Sequence, residues 1–129
     1  MKKAIHIAII ILFLIAMCTT EQIISQTFLR DTKSKVDELF EISSSSEIIN
    51  TEEISAKTNE LEEFWRKRES ILCTFINHRE IEEIGVEISK LKSALREDEK
   101  HVFLESIMLI QFYLRSYQHV LGINFQSIF

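Results

Sequence analysis

Three patterns of apolar and polar positions follow one another along this chain, and each implies a different environment. The first is continuous: from Ala4 to Cys18 every residue is apolar except His6, and no charge follows until Glu21. The second is periodic. Ile24, Phe28, Val36, Leu39 and Phe40 make one helical stripe, interrupted near Thr32. Ile54, Leu61, Phe64, Trp65, Leu72, Phe75 and Ile76 make another, on which Arg68 also falls. Ile81, Ile84, Ile88, Leu91 and Leu95 make a third with heptad spacing. In the last pattern apolar residues go nearly all round a helix, from Val102 and Phe103 through Ile107–Ile110, Phe112–Leu114 and Tyr117 to Val120 and Leu121. A helix like that is central in a bundle or covered by a partner.

These patterns predict an all-α fold, an N-terminal transmembrane helix followed by an antiparallel bundle of about four helices. The first helix runs on from the apolar segment to about Ile42, and Ser43–Ser46 forms a link. Thr51 caps the second helix, with Glu52 and Glu53 at the positive end of its dipole. Asn77 caps the third, and Glu80 three residues on completes a capping box. Asp98 is the expected cap of the fourth helix, which Gly122 stops. The domain division is 1–20 for the anchor or signal segment and 21–129 for the bundle. Short links make neighbours antiparallel, so the last helix returns toward the N-terminal segment.

The apolar run admits three readings. Fifteen residues make about 22 Å of helix, short of a ~30 Å hydrocarbon core, yet Thr19 and Thr20 suit an interface and Gln22-Ile23-Ile24 continues outward. An uncleaved anchor is the preferred reading. A cleaved signal peptide also fits the charged start, although Ala16-Met17-Cys18 is a poor cleavage pattern. A lipoprotein signal requires a small residue where Met17 precedes Cys18. In each case Lys2 and Lys3 stay in the cytoplasm and the residues after about 21 lie outside. Lipid contact is therefore expected through residues 4–18, and Ala4 and Ala8 make a small-xxx-small pair for a second span.

Composition changes the picture in two ways. The chain has no proline and only two glycines, as expected of helices joined by short polar links. Its net charge of −5 is uneven, with 14 acidic and 8 basic residues between 47 and 99 and only Arg115 charged after residue 105. An acidic middle offers no basic face for phosphates, so nucleic acid is not an expected partner.

Candidate chemistry is sparse. His78 and Glu80 point apart at i, i+2, which favours capping over metal binding. Asp98 and His101 can meet at i, i+3, but the Glu-x-x-His sets of a two-metal bundle are missing. Glu62-Glu63 and Glu82-Glu83 suit solvated helix faces better than a desolvated catalytic pair. Arg68 pairs with a neighbouring glutamate or marks the core edge. Cys73 is expected exposed, and a free thiol or an interchain bridge is favoured over a bond to Cys18. No catalytic, cofactor-binding or metal residue is assigned, and no enzyme activity is expected. The partner-facing candidates are Trp65, Tyr113, Arg115, Tyr117, Phe125 and Phe129, with core packing the simpler reading for Trp65 and the end of the bundle for the two phenylalanines.

Several features taken together resemble the bacterial family called domain of unknown function 4363. They are the N-terminal span, Trp65, the His78-Arg79-Glu80-Ile81 stretch, the acidic Glu97-Asp98-Glu99 turn and the terminal Ser127-Ile128-Phe129. The family pattern ends Asn-Ile-Phe, so the serine is a departure. The resemblance implies a small single-span helical protein with no assigned reaction. It also implies an accessory role, since family members are often encoded beside a multi-span membrane protein. The expected function is thus a membrane-anchored module that binds another membrane protein. The alternatives are a structural protein self-associating through the third helix, or an exported domain binding a small apolar ligand.

Overall fold

The computed structural model describes residues 1–128; side chains are described except at Phe75 and from Val120 onward. It contains four helices: α1 (Lys2–Ser45), α2 (Glu52–Phe75), α3 (His78–Arg96) and α4 (Lys100–Ile128). Among the described residues there is no strand. Each helix packs on its sequence neighbours and α4 closes against α1, while among the described residues the diagonal pairs do not meet. The Lys35–Glu60 and Lys57–Glu38 bridges show that α2 runs antiparallel to α1, and the Gln111–Asp37 and Lys100–Ser44 hydrogen bonds show the same for α4.

α1 is far longer than the bundle. At 1.5 Å per residue its 44 residues extend about 66 Å. Its first buried side chain is Ser25, and among the described residues none of the apolar window before it is buried. Beyond Ser25 the expected stripe is present, with Phe28, Val36 and Leu39 in the core and Phe40 at its edge, whereas Ile24 is exposed. Thr32 does not interrupt it: the side chain is fully buried and its hydroxyl donates to the Phe28 carbonyl at 2.8 Å.

The serine run is the last turn of α1 rather than a link. Ser43 is buried, and the hydroxyls of Ser44, Ser45 and Ser46 donate to the Glu41 and Ile42 carbonyls. Such local bonds compete with the helix ladder, and the helix stops at Ser46, where the backbone is extended. The Lys100 ammonium donates to the Ser44 and Ser46 carbonyls at 3.3 and 2.5 Å, a cation at the negative end of the helix dipole. Ile49, in the following turn, plugs that end of the core.

Thr51 caps α2 through Ile54 N–H, and Asn77 caps α3 through Arg79 N–H. The reciprocal Glu80 carboxylate bond of a capping box is not made among the described residues; instead the Glu80 carbonyl accepts from the Tyr117 hydroxyl. All five heptad positions of α3 are buried, facing α2 on one side and α4 on the other.

Asp98 does not cap α4. It closes α3, as the one positive-φ non-glycine residue among those described, at φ 51°. Asp98 N–H donates to the Leu95 carbonyl and Glu99 N–H to the Ala94 carbonyl, the two bonds of a Schellman motif. The freed carboxylate accepts from the Ile49 and Asn50 amides in the turn between α1 and α2, tying the two turns at that end together. Nor does Gly122 stop α4, which stays helical to Ile128. A mid-helix glycine costs only about 1 kcal/mol, and no proline follows to enforce a break.

Candidate interaction surface

The face that α4 turns outward is apolar at its centre. Phe103, Ile107, Ile110, Leu114 and Tyr117 point into the bundle. On the opposite side Val102, Met108, Leu109 and Phe112 remain in solvent, Met108 at 57% and Phe112 at 60% exposure. Their spacing of three, four and seven puts them on one stripe. Glu105, exposed, falls within the same stripe between Val102 and Leu109, and the exposed Arg115 follows its C-terminal end. Gln111 is turned toward α1, where its amide donates to Asp37 at 2.8 Å. Tyr113 is half-buried at the core's edge and meets Phe112 edge-on, with ring centres 5.9 Å apart.

The sequence-derived candidates divide accordingly. Arg115 is exposed and Tyr113 partly so. Trp65 and Tyr117 are not on a partner-facing surface. Trp65 is 2% exposed and packs tilted by 31° against Phe28 at 5.6 Å, and Phe28 stacks on Phe64 at 5.3 Å. Tyr117 is buried because its hydroxyl reaches the Glu80 carbonyl at 3.0 Å, where α4 crosses the start of α3. Burial, with the Glu80 and Glu83 charges nearby, holds the phenol well above its ordinary pKa, so it stays protonated. The side chain of Phe125, and Phe129 altogether, lie outside the described residues. Sequence reasoning missed Met108, Leu109 and Phe112 as the exposed set. The uniform apolarity of α4 concealed which side the bundle used.

The polar candidates have structural partners. His78 pairs with Glu82 at 3.2 Å rather than working with Glu80, and its Nδ1 lies 3.2 Å from the Cys73 sulfur. Cys73 is half-buried rather than exposed, and burial raises its thiol pKa, so the neutral thiol is favoured. Both Cys18 and Cys73 are free. Glu62 is less solvated than its neighbour, bridging Arg66 at 2.5 Å and Lys92 on α3. Arg68 finds no glutamate among the described residues. Its guanidinium lies over Phe64 at 4.0 Å and near Phe28 at 5.8 Å, a cation–π arrangement. Among the described residues no three His, Cys, Asp or Glu side chains converge as a metal-binding group.

A four-helix bundle carrying an unpacked apolar extension on its first helix is the class of protein that this architecture defines. Within that class, the chain belongs to the family named Domain of unknown function (DUF4363), whose profile matches residues 23–128. The matched segment is the bundle, and the apolar stretch of α1 precedes it. No curated protein and no solved structure matches the chain significantly. The N-terminal stretch is long and apolar enough to cross a membrane, a property that signal sequences share.

Proposed function

We propose that this chain is a single-pass membrane-anchored module that docks on another membrane protein through the outer face of α4. Lys2 and Lys3 stay on the cytoplasmic side and the bundle stands outside. The observation that carries the reading is the exposed Met108, Leu109 and Phe112 stripe, on a helix whose other face already fills the core. Support for the anchor comes from the apolar stretch of α1, which finds no cover among the described residues. The module is assigned no reaction. Self-association through the α3 heptad is disfavoured, because that seam is consumed inside its own bundle.

The test is co-purification from intact membranes of the cross-linked, C-terminally tagged full chain. A multi-span companion in near-equal amount is expected, and Phe112→Asp should lose most of it while melting as the parent does. Recovery of the bait alone, or of the companion in undiminished amount with Phe112→Asp, refutes docking through this face.

A further inference from the structure

A groove of about 330 Å³ lies between α1 and α2 at the end of the bundle nearest the apolar stretch. Its walls include Ile23, Ile24, Phe28 and Ile71, and its polar groups include Ser25 and Arg68. Three features set it apart from a packing fault. Ile23, Ile24 and Ile71 are exposed although they adjoin one another across two helices. Ser25 is 1% exposed and lines the groove, yet its hydroxyl has no hydrogen-bond partner among the described residues. Such a group is normally paired, so the vacancy asks for a partner from outside. Arg68 has no carboxylate partner among the described residues. It makes one long bond to the Phe64 carbonyl at 3.4 Å, leaving most of its five N–H donors unused. Asp31, also on the groove, lies 4.0 Å from its neighbour Arg30.

The position of the groove indicates what fills it, on the membrane-anchor reading above. Counted from Ala4, a ~30 Å hydrocarbon core takes about 20 residues of helix and ends near Ile23–Ile24. The groove therefore opens at headgroup level, with its apolar wall continuous with the lipid-facing side of α1. We propose that it holds one anionic phospholipid of the surrounding bilayer. The phosphate accepts from the Arg68 guanidinium and the Ser25 hydroxyl, and one acyl chain lies along Ile23, Ile24 and Ile71. Anionic rather than zwitterionic lipid is favoured because the guanidinium is uncompensated. The chain's own net charge of −5 opposes a diffuse attraction, so the preference is assigned to this cation.

The test uses the full chain in detergent micelles, titrated with dioleoylphosphatidylglycerol or dioleoylphosphatidylcholine and read by native mass spectrometry. One phosphatidylglycerol per chain is expected to be retained in preference to phosphatidylcholine. Arg68→Gln should weaken that retention about tenfold, the size of a lost charge-assisted contact. Arg96→Gln, exposed at the far end of the bundle, should leave it unchanged. Equal retention of the two lipids, or unchanged retention in Arg68→Gln, overturns the proposal. Arg68 also packs on Phe64, so if Arg68→Gln melts early the decision passes to Ile71→Asn at an exposed position. Undiminished retention there overturns the proposal too. Flotation with phosphatidylcholine vesicles separates the two readings. A chain that does not float loses both the anchor and the groove, whereas one that floats without anionic preference loses the groove alone.

Discussion

Asp98 offers a sharp test of how the bundle is closed, because one residue does two jobs that different substitutions separate. Its backbone sits at φ 51°, and its carboxylate accepts the Ile49 and Asn50 amides at 3.3 Å each. Hydrogen bonds to a charged acceptor contribute about 1.5–3 kcal/mol each when short and sheltered. These are long and the residue is exposed, so about 1–2 kcal/mol for the pair is the reasonable figure. A left-handed backbone adds roughly 1 kcal/mol of strain for alanine, less for Asp or Asn, and none for glycine. Asp98→Ala loses both contributions and should cost about 2–3 kcal/mol. Asp98→Gly loses the bonds but relieves the smaller strain of the aspartate, for a cost of about 0.5–1.5 kcal/mol. Asp98→Asn keeps an acceptor oxygen and the tolerance of positive φ, and should lie within about 0.5 kcal/mol of the parent. The assay is denaturant unfolding of the full chain in mild detergent, followed by far-ultraviolet circular dichroism. The order Ala, Gly, Asn from worst to least is the prediction. Glycine as damaging as alanine would refute the strain argument, and asparagine as damaging as alanine would refute the tie between the two turns.

Other outcomes follow from the same packing. Tyr117→Phe should lower stability by about 1 kcal/mol, the value of one lost hydrogen bond, while Tyr117→Glu should unfold the bundle in the same assay. The raised Tyr117 pKa sets a sign for alkaline pH. The folded state holds the phenolic proton that the unfolded chain releases near pH 10, so this contribution is intact below about pH 10 and falls as pH rises through it. A stability curve between pH 8 and 11.5 that is steeper for the parent than for Tyr117→Phe is the expected result. Leu91→Ala, fully buried, should cost about 2–5 kcal/mol by the same unfolding assay, and Val86→Ala, exposed on the same helix, less than about 0.5 kcal/mol.

What the sequence determined by itself was local and periodic. The heptad positions of α3, the caps at Thr51 and Asn77 and the unbroken apolar stretch were all legible, because each depends on residues within a few turns of one another. The serine run and Gly122 were misread as breaks for a related reason. Serine and glycine lower helix propensity by at most about 1 kcal/mol each, and tertiary packing overrides a preference that small. What only the tertiary structure decided was the use of each face. On α4 apolar residues point in every direction, and nothing in their order says that Ile107 and Ile110 face the core while Met108 and Phe112 face solvent. Arg68 looked like half of an ion pair, but its guanidinium lies over Phe64, one turn back on α2, and near Phe28 across the interface on α1. Asp98 looked like an N-cap because an acid before a helix usually is one. Its actual acceptor role depends on the α1–α2 turn, about fifty residues away in the chain, arriving beside it when the bundle closes. Local order along a chain fixes which helices form, whereas which side chains become surface depends on where three other helices come to lie.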